Sequence, residues 1–268
     1  MSEPWLSACR GAVEDVRALL VELPTRVERE PVLRQGEGGD DTTAIDAGAE
    51  ERVLARLRAI PEIGFTVVSE EAGILDVNGG GTVRVVVDPI DGSVNAKRGI
   101  PFFSVSVAVA DGPTMGDVFF GYVYDFGAHE EWTAVRGEGA FLNGERLGRI
   151  RPKDEIEILS FEATLTSLIA DKAPAVVGLA KRLRIMGSLA LSLCHLAAGR
   201  VDAVCSLKEA RAVDIAAGQL LVREAGIPIG LAGGPDFLDA PLDLEGRSRV
   251  VAAGTQALCQ QLADALLS

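Results

Sequence analysis

Asp88-Pro89-Ile90-Asp91-Gly92-Ser93-Val94-Asn95 follows directly on the apolar run Thr82–Val87. Val83, Val85, Val86 and Val87 are β-branched, and the run is bounded by Gly79–Gly81 and Pro89. A short run of this kind reads as a strand buried on both faces. Pro89 is expected to stop the ladder, and Gly92 to let the chain turn where a side chain would crowd a ligand. Asp88 and Asp91 then project from one loop at a strand's carboxyl end, the edge where open α/β sheets bind ligands. Two carboxylates so close repel each other unless a proton or a cation lies between them. Hard divalent metals with oxygen ligands meet that need. Asp-Pro and Asp-Gly are also ordinary turn formers, so the octet has to be read with the rest of the chain.

The 268 residues suffice for one large α/β domain or two intimately packed halves. Hydrophobic content of 48% with 24% charged residues is that of a soluble globular chain with a substantial core. A net charge of −13, without any Lys/Arg-rich run, argues against general nucleic-acid binding. Cys9, Cys194, Cys205 and Cys259 are scattered and form no CxxC pair, which suits buried free thiols in a reducing cytoplasm. Met1–Leu20 is charged throughout and lacks a signal-peptide core, and no apolar stretch approaches the roughly 20 residues a membrane helix needs. With His129 and His195 the only histidines, a histidine zinc site or a Ser-His-Asp triad has little support.

Apolar spacing from Pro4 to Val27 has helical period. Residues 34–45 read as a glycine-rich acidic loop, expected to be mobile, after which Asp46 opens a helix through Leu57. Gly64–Ser69 reads as a strand leading to Glu70-Glu71, and β-like runs follow at Phe102–Ala110, Asp117–Tyr124 and Glu131–Val135, with Gly137–Gly144 as a closing turn region. Beyond a boundary near residue 150, strands are expected at Ile156–Phe161, Arg184–Met186, Val201–Cys205 and Val250–Ala253. Helices are expected near Ala175–Lys181 and over Leu189–Ala198, Asp214–Ala225 and Thr255–Leu267. Gly199 and Gly226 serve as helix stops.

Four acidic clusters lie at the ends of apolar elements: Asp40/Asp41 with Asp46, Glu70/Glu71, Asp88/Asp91, and Asp214. Singly, Asp46 and Asp214 read as helix N-caps, Glu70/Glu71 as a solvated turn and Asp40/Asp41 as loop charges. In this order and spacing they suggest a known pattern. The chain resembles the inositol monophosphatase and fructose-1,6-bisphosphatase superfamily of magnesium-dependent, lithium-sensitive sugar phosphatases. The resemblance runs through Gly39–Asp46, Ser69–Gly73, Asp88–Asn95, Val213–Gly218 and Glu224–Gly226, nearly the whole chain. Gly99-Ile100-Pro101-Phe102-Phe103-Ser104-Val105-Ser106 looks most like the archaeal branch, whose members often hydrolyse both fructose bisphosphate and inositol monophosphate.

The resemblance implies a layered α-β-α-β-α sandwich with the site between residues 1–150, which carry most metal ligands, and residues 151–268, which carry Asp214 and substrate contacts. It implies Mg2+, or Mn2+, in two or three copies: one ion on Glu70, Asp88 and the Ile90 carbonyl, a second on Asp88, Asp91 and Asp214, and a weaker third near Glu70 and the acidic loop. Ser93 and Asp46 would orient the attacking water, with Glu70 also in the catalytic set, and no phospho-enzyme would form. Asp91, Leu189 and the backbone N–H groups of Gly92 and Ser93 would contact the substrate. A homodimer or homotetramer acting on a small phosphorylated sugar or polyol, with no nucleic acid or membrane, completes the expectation.

Two departures bear on specificity. Inositol-specific members usually carry Trp before the last aspartate, where this chain has Val213, and a glutamate near residue 207, where it has Leu207-Lys208-Glu209-Ala210-Arg211. Basic and apolar residues there suit a substrate with a second anionic group, which Lys208, Arg184 and Arg211 would pair with. The alternatives are a phosphatase for 3′-phosphoadenosine nucleotides or NADP, which would want an adenine-stacking pocket in a chain only 5% aromatic, and a metal-binding regulatory protein that keeps the fold.

Overall fold

The computed structural model describes residues 2–39, 41–61, 63–148, 153–163, 165–245 and 249–267. The chain opens with helices α1 (Glu3–Glu22) and α2 (Arg26–Arg29), a hairpin of β1 (Val32–Gln35) and β2 (Asp41–Thr43), and helix α3 (Ala44–Arg58). Then come β3 (Phe65–Ser69), β4 (Gly73–Val77), β5 (Val83–Asp91), the short helix α4 (Ser93–Arg98), β6 (Ser104–Ala110), β7 (Val118–Asp125), β8 (Glu130–Val135), β9 (Gly139–Leu142) and β10 (Glu145–Arg146). The second half contributes β11 (Ile156–Glu162), α5 (Thr166–Lys172), β12 (Ala180–Arg184), α6 (Leu189–Ala197), β13 (Ala203–Ser206), α7 (Ala212–Glu224), β14 (Ile229–Ala232), β15 (Arg249–Ala253) and α8 (Gln256–Leu267).

An eight-stranded sheet, β10-β9-β8-β7-β6-β5-β3-β4, and a five-stranded sheet, β12-β11-β13-β15-β14, stack with helices between and outside them. The alternation of side chains along β5 explains the layering. Val85 and Val87 face a core shared with α1 and α3, whereas Val86 faces a second core shared with α6 and α7. That middle core also takes Val204, Val250 and Ala252 from the small sheet, whose other face packs Ala203, Cys205 and Val251 against α8. Three apolar cores thus separate five layers, α-β-α-β-α. Because both faces of β5 are covered, its valine run carries no polar alternation.

Several expectations need correction. The ladder does not stop at Pro89: β5 pairs with β6 as far as Asp91↔Ser104, and a register irregularity between Asp88 and Asp91 absorbs the residue that lacks an N–H. Residues 34–45 are not simply a loop, since β1 and β2 form an antiparallel pair whose tip is tied down by Gly38 N–H on the Glu70 carbonyl at 2.8 Å. Asp40 lies outside the described residues, as does the expected boundary at residue 150. The helix expected at Ala175–Lys181 falls earlier, at α5, which buries no residue fully and so has little periodic signal. Gly178, at φ +85°, turns the chain into β12, which ends at Arg184 where a strand had been expected to begin. Helices α3 and α7 begin two residues before Asp46 and Asp214, so both aspartates sit in the first turn rather than at the cap. The four cysteines are free and buried, as the reading anticipated. Among the described residues no helix is long and apolar enough to cross a membrane.

Candidate active site

Two parallel strand ends and one helix start converge. β3 and β5 run parallel in register Ser69↔Val87, so Glu70 and Asp88 leave neighbouring strands side by side. The first turn of α7 brings Asp214 from the second half. Glu70, Asp88 and Asp214 each offer a carboxylate oxygen within 4.8 Å of the other two. Burial pushes Glu70 up to about 8, against the pull of Arg211 and with Asp214 adding to the rise. Asp88 is raised well above its ordinary value by burial first, then by Glu70, Asp91 and Asp214. Asp91 is pushed up to about 7, again chiefly by burial, which outweighs the Ser188 hydrogen bond. Such a set takes up either protons or a cation.

Arg211 supplies one cation. Its guanidinium, only 5% exposed, pairs with Glu70, lies 3.5 Å from Asp214 and donates to the Gly38 carbonyl at 3.2 Å. Burial works against its charge, but Asp214 and Glu70 hold it above the usual arginine value. Its backbone N–H also donates to Asp214 at 2.6 Å. A Cβ on Gly38 would stand 2.4 Å from this guanidinium, which accounts for a glycine at the hairpin tip. Sequence reasoning had set Arg211 against a distal phosphate; the structure sets it among the carboxylates.

The remaining expected site residues fall into place as follows. Asp46 is 2% exposed; one oxygen accepts the Thr43 N–H at 3.1 Å and the Thr43 hydroxyl, while Oδ1 is buried without a partner. Glu71 is buried, accepts the Thr42 hydroxyl and is raised by burial, with Asp46 and Glu50 adding to the rise. It is therefore no solvated turn. Ser93 donates to the Ile90 carbonyl at 3.0 Å, and the Ile90 N–H donates to Asp88 at 3.0 Å. Gly92 adopts φ +95°, and a Cβ there would meet the Gly187 and Phe102 carbonyls at 3.1 Å. Leu189, half-buried, opens α6, while Arg184 and Lys208 are exposed, at the end of β12 and just past β13. Sequence reasoning missed Ser188, whose hydroxyl donates to Asp91 and whose backbone leads to the Ala190 N–H, 2.7 Å from the same carboxylate. The Gly-Ser before an apolar helical run was the signal available for it.

The donor chemistry fits hard dications: Glu70, Asp88 and Asp214 supply converging carboxylate oxygens, Asp91 is near enough to raise Asp88 but stands outside that group of three, and the orphaned Asp46 Oδ1 is a further buried acceptor. A second cluster, Asp125, Glu130 and His195, differs because Arg200 already donates to both Glu130 oxygens at 2.6 Å and lies 3.5 Å from His195.

Five alternating layers that gather buried carboxylates at one junction define an α-β-α-β-α protein with a candidate dication site. The model described as "Inositol monophosphatase family" matches residues 6–267, and the chain belongs to that family. It is 32% identical over 272 residues to a fructose-1,6-bisphosphatase/inositol-1-monophosphatase of Methanothermobacter thermautotrophicus, covering 98% of this chain and 96% of the relative. It is 34% identical to the Nus factor SuhB of Escherichia coli K12, with 91% of each chain covered. A solved Pyrococcus horikoshii protein, described as hypothetical with similarities to inositol-1 monophosphatase, superposes with a TM-score of 0.80 at 27% identity over 99% of both chains.

Proposed function

We propose that the protein is a Mg2+-dependent phosphomonoesterase acting on fructose 1,6-bisphosphate, inositol monophosphate or both, by attack of water. The observation that carries this reading is the convergence of Glu70, Asp88 and Asp214 from three elements on one point, with Asp91 near enough to act on Asp88. Dications held by these carboxylates and the Ile90 carbonyl would neutralise the phosphate ester, make a bound water more acidic and stabilise the leaving alkoxide. The chain's own residues do the rest. Asp46 Oδ1, buried and unpartnered, is available to accept a hydrogen bond from the attacking water, and Ser93 shares in orienting it. The positive-φ turn at Gly92 lets phosphate oxygens approach the backbone without meeting a side chain.

The bisphosphate reading draws support from strand topology. β12, β11 and β13 are parallel neighbours, so Arg184 and Lys208 lie at the same carboxyl edge of the sheet, separated by roughly two strand spacings, about 10 Å. Lys208→Ala is expected to raise KM for fructose 1,6-bisphosphate about tenfold, the scale of one charge-assisted contact, while leaving inositol 1-phosphate nearly unaffected. Equal effects on both substrates would remove Lys208 from distal-phosphate recognition. The reaction itself is tested by phosphate release in saturating magnesium from fructose 1,6-bisphosphate, inositol 1-phosphate, 3′-phosphoadenosine 5′-phosphate and NADP. Activity on the first two, lost in EDTA, supports the reading. Activity on the nucleotides alone favours the nucleotide alternative, and silence on all four favours a regulatory role. Four buried free thiols suit a reducing cytoplasm, and a homodimer or homotetramer is the assembly we propose.

A further inference from the structure

Glu162, the last residue of β11, is 6% exposed and belongs to no part of the acidic cluster. Its carboxylate is nevertheless densely solvated by the protein. Oε1 accepts the Ser160 hydroxyl at 2.7 Å, the Ser192 hydroxyl at 2.8 Å and the Met186 N–H at 3.3 Å; Oε2 accepts the Gly187 N–H at 2.8 Å. The Ser192 hydroxyl also lies 2.8 Å from the Ser188 carbonyl, so the same network reaches both sides of the 186–188 turn. From the other half of the molecule Asn95, the last residue of the octet, donates to the Met186 and Phe102 carbonyls, each at 2.8 Å. Gly187 has φ +87°, and a Cβ there would stand 3.1 Å from the Asn95 amide. The turn is thus clamped between β11 and α4. Its exit is Ser188, which caps α6 through the Leu191 N–H and gives its hydroxyl to Asp91, while Ala190 adds an N–H to the same oxygen.

We propose that Glu162 is a positioning residue, holding the 186–188 turn so that Ser188 and Ala190 fix the Asp91 carboxylate toward the dication and substrate. A carboxylate fastened by two donors on one oxygen presents the other in a fixed direction, and outer partners of this kind govern how well a ligand set works. Glu162 is suited to the task because an ionised carboxylate only accepts, and every group facing it donates. The proposal rests on reading Asp91 as part of the dication-holding set.

The test compares Glu162→Gln, Ser188→Ala and the double variant in the full chain. Glu162→Gln keeps the volume but aims an NH2 group at donors it cannot satisfy. Manganese affinity by calorimetry is expected to fall about 10- to 100-fold in each single variant. The double variant is expected to bind no more weakly than the weaker single, because both changes act on one carboxylate. Amide exchange at Ala190 is expected to accelerate in Glu162→Gln, a readout that needs no metal. Wild-type affinity in Glu162→Gln, losses that multiply in the double variant, or unchanged Ala190 exchange would overturn the proposal. Failure of the wild type to bind manganese would count against the dication reading instead, leaving Ala190 exchange to decide the role of Glu162. Should Glu162→Gln not fold, Ser192→Ala takes its place in the cycle, since its hydroxyl ties the same carboxylate to the same turn.

Discussion

Asp88→Asn is expected to reduce magnesium-dependent phosphate release by about 1,000-fold or more, the scale of losing one strong electrostatic stabiliser in a site. The same substitution should make the metal-free protein more stable at pH values above the ordinary carboxylate range. Asp88 is 2% exposed, and burial together with Glu70, Asp91 and Asp214 opposes its ionisation. An acid with a raised folded pKa contributes stability below its unfolded pKa and loses it as pH rises through the folded value. An amide removes that charge, leaves the Ile90 N–H its oxygen acceptor and relieves the neighbours. Relief of about 1–2 kcal/mol would shift the melting temperature upward by roughly 2–8 °C for a chain of this size. Melting curves in EDTA at pH 8.5, set beside turnover in magnesium, separate the two effects. A variant that keeps a tenth of wild-type turnover, or melts lower in EDTA, removes Asp88 from the centre of the cluster.

Legibility in the sequence followed burial. The run ending in Asp88 was readable because β5 is covered on both faces, so four β-branched residues marked the strand, while Pro89 misled as to where its ladder ends. β1 was invisible because all four of its residues are exposed and carry no apolar alternation. The register of α5 was lost for a similar reason, with no residue of that helix fully buried. In the site, the acidic residues could be picked out because charge at the end of an apolar element is conspicuous. The partners of Glu162 and Ser188 could not: their hydrogen bonds reach residues 25 and 97 positions away, and nothing in local spacing marks a serine as the partner of a carboxylate on another sheet. Arg211 was noticed as a charge, but its destination depends on α7 meeting β5, beside which Glu70 follows β3, and only the packed layers determine that.

Arg211→Met is the second large effect, and its size depends on pH. Without metal, Arg211 is the cation that lets Glu70 and Asp214 stay close, with side-chain exposures of 5%, 13% and 20%. Removing one partner of a buried ionic group typically costs about 3–5 kcal/mol, because the charges left behind are uncompensated. At pH 8, near the value of about 8 to which Glu70 is raised even with the arginine present, part of that cost is avoided because Glu70 can take up a proton. Loss of the guanidinium raises Glu70 and Asp88 further, since Arg211 lowers both. A carboxyl raised past the solution pH takes up a proton rather than holding its charge, so the added cost stops growing once it is neutral. At pH 5 Glu70 is protonated in the folded state, so the variant should lose little beyond its hydrogen bonds to Glu70 and the Gly38 carbonyl. Urea unfolding in EDTA is therefore expected to show destabilisation at both pH values, larger at pH 8 by on the order of 0.5–1 kcal/mol. Saturating magnesium should close most of that gap by supplying the missing positive charge. Equal destabilisation at both pH values would mean that Arg211 acts through packing alone. No destabilisation at either, with a raised KM for the bisphosphate, would return it to the distal phosphate that its position in the sequence first suggested.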